Sequence, residues 1–434
     1  MLHGTSVENP GVACRRPSRQ VYYAPRTPVY NGATCPDIFG NFKLLRLILL
    51  RERVTMLHAH QTFSVMGHEA VFHARTMGYK CVFTDHSLFG FHDASSIHMN
   101  KLLVMTLADC NHVVCVSHTA KENTVLRSAV PPQRVSVIPN AVDGARFTPD
   151  LSKRPRTTTS GRDRITVAVT ARLAYRKGVH LLAGVIPLAC ARFPEVDFLI
   201  AGDGPMRKHL EEMAVEHGLT QRVTLLGNVA HANVSDVLQR AQIFLNCSLT
   251  ESFCIAILEA ACCGCLVVAT NVGGVPEVLP PDLLFLADAH PPALVDALQD
   301  AMGALRGGGK ANGRESKSAK RGKQRGEVME TYSAGVDPMS IHRRVAEMYS
   351  WDDVAARVEV VYKRAHATRD TLLGRLVRMH RCGLFAGKLV CCVVAVDYLY
   401  WQWVEWWRPA AEVERAPDFV PDNGCDFHRV DDQD

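Results

Sequence analysis

Two carboxylates eight residues apart, Glu251 and Glu259 in Glu-Ser-Phe-Cys-Ile-Ala-Ile-Leu-Glu, are the first residues whose spacing could do chemistry. The first precedes an apolar run with helical character and the second lies inside it. A helix starting near Ser252 would aim the free backbone N–H groups of Ser252, Phe253 and Cys254 at a docked anion such as a diphosphate. Glu259 would then accept hydrogen bonds from sugar hydroxyls. Glutamates at this spacing also decorate solvated helices, but this helix is otherwise apolar and an uncompensated acid in it would be costly. Arg172 and Lys177, in Arg-Leu-Ala-Tyr-Arg-Lys-Gly, follow a predicted strand and fall where strand C-termini open into a crevice. Two cations there could neutralise a diphosphate leaving group without a metal ion, or they could be ordinary surface charges. Gly202-Asp203-Gly204-Pro205 and Val272-Gly273-Gly274-Val275-Pro276-Glu277 are tight turns after further strands, each able to bring backbone close to a ligand.

Histidine is dense between residues 58 and 98, which suggests metal. His68 and His73, however, are five residues apart and so about 140° apart around a helix, too far to share an ion as an i, i+4 pair does. His86, in Thr-Asp-His-Ser directly after a strand, stands at a crevice edge and could bond a sugar or acceptor hydroxyl, although a lone histidine is commonly structural. Cys262 and Cys265 form a C-x-x-C with no second pair to complete a zinc site. Asp432 and Asp434 sit in an acidic tail and are set aside as a metal pair. Asn233 and Asn246 open formal glycosylation sequons, unused in a cytosolic orientation.

These residues need a scaffold, and the pattern supplies an α/β one. From Val21 to about Gly144 short apolar runs (Val21–Tyr23, Val54–Leu57, Cys81–Phe83, Val113–Val116) alternate with helical stretches over 39–51, 63–77 and 99–107. A Thr- and Arg-rich stretch over 150–164 reads as a linker. Alternation resumes with runs at 165–170, 198–201, 223–226, 243–245 and 266–269, ending near Ala304, and predicts a second Rossmann-like domain. Residues 305–338 are a basic, Gly-rich insert that cannot offset its ordering entropy. Two helices follow, over 340–349 and 352–365.

The chain has 434 residues, of which 47% are hydrophobic and 21% charged, with a formal net charge of +5. That length houses two or three cores. No basic face for nucleic acid is apparent. Fifteen cysteines fall mainly inside apolar runs, as small core hydrophobes in a reducing compartment do, and do not form a secreted disulfide scaffold. Residues 1–20 lack the apolar core of a signal peptide. The segment 383–407 is apolar enough, with Lys388 and Asp397 inside it, to be expected as a transmembrane helix; basic residues precede it and tryptophans mark its far end. By the positive-inside rule both domains face the cytosol and the acidic tail 408–434 faces the lumen. An amphipathic helix on the membrane or on a partner is the alternative.

Together these stretches resemble the retaining glycosyltransferases of family 4, whose GT-B fold sets two Rossmann-like domains across a cleft. The motifs Val54 to His60, Phe83-Thr-Asp-His-Ser-Leu-Phe-Gly-Phe91, Lys121 to Arg127, Val135 to Asp143 and Arg172 to Gly178 are similar to the branch that transfers N-acetylglucosamine to phosphatidylinositol, starting glycosylphosphatidylinositol anchors. The resemblance implies a UDP-N-acetylglucosamine donor held by the second domain, a membrane phosphatidylinositol acceptor, further complex subunits, no metal or other cofactor, and the cytosolic face of the endoplasmic reticulum. It matches Arg172 and Lys177 to diphosphate cations, Glu251 to the acid beside the transferred sugar, Glu259 to the ribose acid and His86 to the cleft histidine of the first domain. The family opens with a strand and a Gly-Gly-Val-Glu loop before the part matching Val21. Met1-Leu-His-Gly-Thr shows no such loop, so about 60–80 residues of the first domain are expected to be missing and the acceptor side incomplete. Transfer of another sugar or to another lipid, or a non-catalytic scaffold role, stay open at this point.

Overall fold

The computed structural model describes residues 21–24, 39–88, 99–128, 130–154, 164–306 and 337–416, with backbone alone for 14–16, 19–20, 28–30, 33–34 and 94–98. Most of the N-terminal stretch, residues 155–163 of the linker, 307–336 of the basic insert and 417–434 of the acidic tail lie outside the described residues.

Four short strands come first: β1 (Cys14–Arg16) pairs antiparallel with β2 (Arg19–Val21), and β3 (Pro28–Tyr30) with β4 (Ala33–Thr34). The run Val21–Tyr23 is therefore not a buried strand of the main sheet. It ends a three-residue hairpin arm with Tyr23 exposed, and Pro25 and Pro28 follow too soon for a longer ladder. Helix α1 (Phe42–Arg51) leads into a parallel sheet of β5 (Met56–His60), β6 (Lys80–Asp85), β7 (His112–Cys115) and β8 (Val135–Val137), in that spatial order. The crossovers are α2 (Val65–Thr76), α3 (Ala94–Asp109) and α4 (His118–Ser128). β6 and β7 are buried almost throughout, as strands covered on both faces must be. β5 has no strand on its other side among the described residues.

The second sheet runs β11–β10–β9–β12–β13–β14, all parallel. Its strands are β9 (Ile165–Thr170), β10 (Val196–Ala201), β11 (Val223–Gly227), β12 (Ile243–Asn246), β13 (Leu266–Thr270) and β14 (Leu284–Ala287). In chain order this is 3-2-1-4-5-6, so the winding reverses between β9 and β12. At such a switch point neighbouring loops diverge and leave a crevice beyond the strand C-termini. Helices α5 (Val179–Arg192), α6 (Arg207–Glu216), α7 (Val234–Gln239), α8 (Ile255–Cys262) and α9 (Pro291–Leu305) cover the faces.

After Pro338–Met348, the helix Trp351–Ala367 crosses back to the first domain, packing Val361 and Ala365 against Val82, Val114 and Ile138. The helices Leu372–His380 and Ala386–Trp407 then close against α2 and α3. No helix of the described residues is long and apolar enough to cross a membrane, so the expected span over 383–407 is not what this segment shows. Asp397 is fully buried against the first domain, bonded to His73 (2.9 Å) and Thr76, while Glu405 pairs with Arg46 at 2.5 Å. Elsewhere the helix exposes Leu389, Leu399 and Trp406, while Trp403 and Trp407, also exposed, lie under Lys43 of α1.

Candidate functional site

The loop after β9 turns sharply at Tyr175–Lys177 and ends on Gly178, whose φ of +67° permits a backbone approach that a Cβ would block at 1.8 Å from the Cys247 carbonyl. The Leu249 N–H donates to the Arg176 carbonyl at 3.0 Å, so this loop and the end of β12 form one unit. That unit brings Lys177 Nζ to 2.5 Å from Glu251 Oε1, which also accepts the Ser248 hydroxyl at 2.7 Å. Cation and acid thus meet at the switch point. Arg172 leaves the end of β9 exposed to solvent, a second cation beside the pair's loop. Gly202 supports this loop from β10: its φ is +142° and a Cβ would lie 1.9 Å from the Ala171 carbonyl. It packs backbone on backbone and presents no group of its own.

Helix α8 does not start at Ser252. Cys254 is its N-cap, in a left-handed conformation at φ +77°, and the first helical residue is Ile255. The expected amides of Ser252, Phe253 and Cys254 are therefore in the turn before the helix, and the helical N–H groups nearest the crevice begin at Ile255. Ser252 looked like a cap but is used across the cleft: its hydroxyl donates to the His86 carbonyl (2.5 Å) and its carbonyl accepts the Ser117 hydroxyl (2.6 Å). Phe253 is a core residue, stacked edge-on against Tyr349. The Cys254 thiol takes a hydrogen bond from the Asn246 amide, and burial pushes its pKa up to about 12.

Glu259, one turn into α8, is buried and faces His231 of the loop after β11, Nε2 to Oε1 being 3.3 Å. Burial holds its carboxyl above the usual range, and His231 pulls it partly back. Glu259 is thus held by a partner of its own, His231. His231 was not singled out from the sequence; the signal was the acid in an apolar helix, which requires a partner.

Across the cleft, His86 follows β6. Its ring is held by His60, Nε2 to Nδ1 being 3.2 Å, and burial lowers its pKa. Beneath it Asp85 is buried and accepts from Thr62, Thr124 and the Ser87 N–H; desolvation raises its pKa. A cavity of about 190 Å³ lies between the domains, lined by Gln61, Phe63 and His86 on one side and Arg176, Glu251 and Ser252 on the other. Gln61 has φ +74°, and its side chain accepts the Ser87 hydroxyl. Neither Gln61 nor Arg176 stood out in the sequence, because only the closed cleft brings them to Glu251. Glu277 tightens that closure by accepting the His118 and Thr119 N–H groups at the start of α4, 2.6 and 2.8 Å away.

The histidines of α2 are structural: His68 bonds Thr106 and the Thr62 carbonyl, and His73 bonds Asp397. Among the described residues no three His, Cys, Asp or Glu side chains gather as a metal site would need. Cys262, Cys263 and Cys265 are buried free thiols.

A family model described as PIGA (GPI anchor biosynthesis) matches residues 6–93, and one described as glycosyl transferases group 1 matches 153–303. The chain is 48% identical over 400 residues to a phosphatidylinositol N-acetylglucosaminyltransferase subunit of Arabidopsis thaliana, covering 92% of this chain and 82% of that one. With the corresponding Homo sapiens protein the identity is 44%, covering 94% and 78%. The gpi3 subunit of the same transferase in Schizosaccharomyces pombe is 43% identical, covering 92% and 81%. Among solved structures, a sucrose-phosphate synthase from Thermosynechococcus elongatus superposes with a TM-score of 0.59 at 18% identity, over 82% of this chain and 86% of that one. Anabaena HepE in complex with UDP gives 0.53 at 19%, over 76% and 86%. The fold is GT-B, and the chain is a glycosyltransferase belonging to the PIGA family of phosphatidylinositol N-acetylglucosaminyltransferase subunits.

Proposed function

We propose that this chain transfers N-acetylglucosamine from UDP-N-acetylglucosamine to an inositol hydroxyl of phosphatidylinositol, the first step of glycosylphosphatidylinositol anchor synthesis, with retention of configuration. The observation that carries this reading is the Lys177–Glu251 contact at the switch point, facing His86 across the cleft, in a chain nearly half identical to a named transferase subunit. Lys177 and Arg172 would accept the charge that develops on the departing diphosphate, aided by the positive dipole end of α8. Glu251, freed from Lys177 as the donor enters, would hold a hydroxyl of the transferred sugar. Glu259 would bind the ribose, and His86 would bond the sugar or the incoming hydroxyl. If Lys177, Arg172 and the start of α8 carry the diphosphate charge, the reaction needs no metal ion or other cofactor, and it is proposed to proceed without one.

The acceptor is a lipid, and the terminal helix supports membrane attachment. With Asp397 and Glu405 turned to the first domain, the exposed Leu389, Leu399 and Trp406 would enter the interface of the bilayer, proposed to be the cytosolic face of the endoplasmic reticulum. Other subunits of a transferase complex are proposed as partners, in keeping with the relatives' designation as subunits. Microsomes in which the chain is the sole copy of its kind, supplied with labelled UDP-N-acetylglucosamine, should form labelled N-acetylglucosaminyl-phosphatidylinositol with EDTA present. Glu251→Ala should abolish the product. Transfer of glucose or mannose instead, or equal product from Glu251→Ala, would defeat the proposal.

A further inference from the structure

The first domain carries a row of three imidazoles leading to the cleft, of which the function above uses only the last. β5 and β6 pair in register with His58 opposite Val82 and His60 opposite Thr84. His58 and His60, two residues apart on one strand, share a face, and the chain beyond Thr84 brings His86 into line with them. The rings stack: 4.3 Å between the centroids of His58 and His60 with planes at 25°, then 5.5 Å between His60 and His86 at 19°. Both nitrogens of His58 are held, Nε2 by the Thr84 hydroxyl and Nδ1 by the Tyr362 hydroxyl, each at 2.7 Å. Tyr362 comes from the crossing helix, so the row is clamped from outside its own domain. Burial lowers His58 to about 3, leaving it a fixed neutral ring on which His60 stacks.

His60 itself is exposed, and its ring bonds His86. A solvent-facing histidine buries little surface, so folding alone gives it small reason to be there. Its hydrogen bond, by contrast, has a chemical consequence. Two neutral imidazoles sharing one N–H must choose donor and acceptor together, and the choice at His86 Nε2 decides whether Nδ1 carries the remaining proton or a lone pair. We infer that His60, backed by His58 and Tyr362, is a positioning residue for His86, fixing its ring and its tautomer for the transfer step. The inference rests on the proposed role of His86.

The test uses the intact complex in microsomes, with chain abundance measured in each preparation. His60→Leu should lower kcat about tenfold to a hundredfold, the scale of a small misplacement at a reacting centre, with the donor KM within about twofold of the parent. His60→Asn keeps an amide at the position of Nδ1 and should restore most of the loss. Tyr362→Phe, which removes one hydroxyl, should give the same split in weaker form and carries the test if His60→Leu does not accumulate. His86→Leu separates the two readings. If His86→Leu keeps full activity, the role of His86 fails and this inference with it. If His86→Leu is inactive while His60→Leu keeps its kcat, or if Asn restores nothing that Leu lost, the inference is overturned and the proposed function stands.

Discussion

Lys177 and Glu251 face a competition that the ligand-free structure makes visible. Each is the other's counter-ion at 2.5 Å, so a diphosphate entering the crevice must draw Lys177 away from the acid. Lys177→Met should therefore weaken donor binding about tenfold to a hundredfold, as loss of a charge-assisted contact does, read as a rise in KM for UDP-N-acetylglucosamine. Glu259 gives a pH signature. Its carboxyl is raised by burial, so folding favours the protonated form, and the charged form that would accept a ribose hydroxyl under the proposed role is lost at a higher pH than for an ordinary glutamate. Donor KM should rise as pH falls through that raised value. His231 lowers it, so His231→Ala should move the rise to still higher pH; a profile unchanged by the substitution would separate Glu259 from ribose binding. Lys177, Glu251 and Glu259 were readable because charge in an apolar or post-strand context is conspicuous. His231, Gln61 and Arg176 were not, since exposed polar residues in loops carry no mark of what the fold sets opposite them.

At the scale of elements, several strands followed from apolar periodicity, the run expected at Ile165–Thr170 being β9 with the same bounds, whereas the run at Val21–Tyr23 did not join the main sheet. The start of α8 did not follow. Ser252 has the chemistry of a helix cap, yet the domain opposite claims both its hydroxyl and its carbonyl, and the chain enters the helix through Cys254 at φ +77°. A side chain in that region costs about 1 kcal/mol or more. Cys254→Gly should accordingly be tolerated or slightly stabilising, and Cys254→Val, with a branched Cβ at the same φ, should lower the temperature at which microsomal activity is lost. Equal thermal inactivation of the two variants would contradict the left-handed entry. Gly178 makes the matching case one loop away. A Cβ there meets the Cys247 carbonyl at 1.8 Å, so Gly178→Ala must push the Lys177 loop off β12, and activity should fall further than chain abundance.

For the whole molecule the decisive segment is the last helix. Along the sequence, 383–407 invites the expectation of a span because tryptophans, valines and leucines outnumber its few charges, yet its helix is not apolar enough to cross a membrane. Folded, two of those charges are what tie the helix down: Glu405 pairs with Arg46, and Asp397 accepts from Thr76 and bonds His73. Thr76 in turn takes a hydrogen bond from Arg375 (2.8 Å), and Arg375 pairs with Asp109. Most of these partners come from α1, α2 and α3, some three hundred residues earlier, and no local pattern announces them. Asp397→Leu distinguishes the two arrangements because its effects have opposite signs. In a membrane span it removes a buried charge from hydrocarbon, so the chain should stay in the pellet on alkaline extraction and remain active. In the observed packing it strands His73 and Thr76 without their acceptor, at about 3 kcal/mol or more, the typical cost of breaking a buried pair. The folded first domain should then lose protease resistance, and activity should fall with it. Asp397→Asn, which keeps a carbonyl oxygen for Thr76 and His73, should retain more of both. A chain that gains membrane retention and keeps its activity as Asp397→Leu would overturn the docked arrangement of the terminal helix.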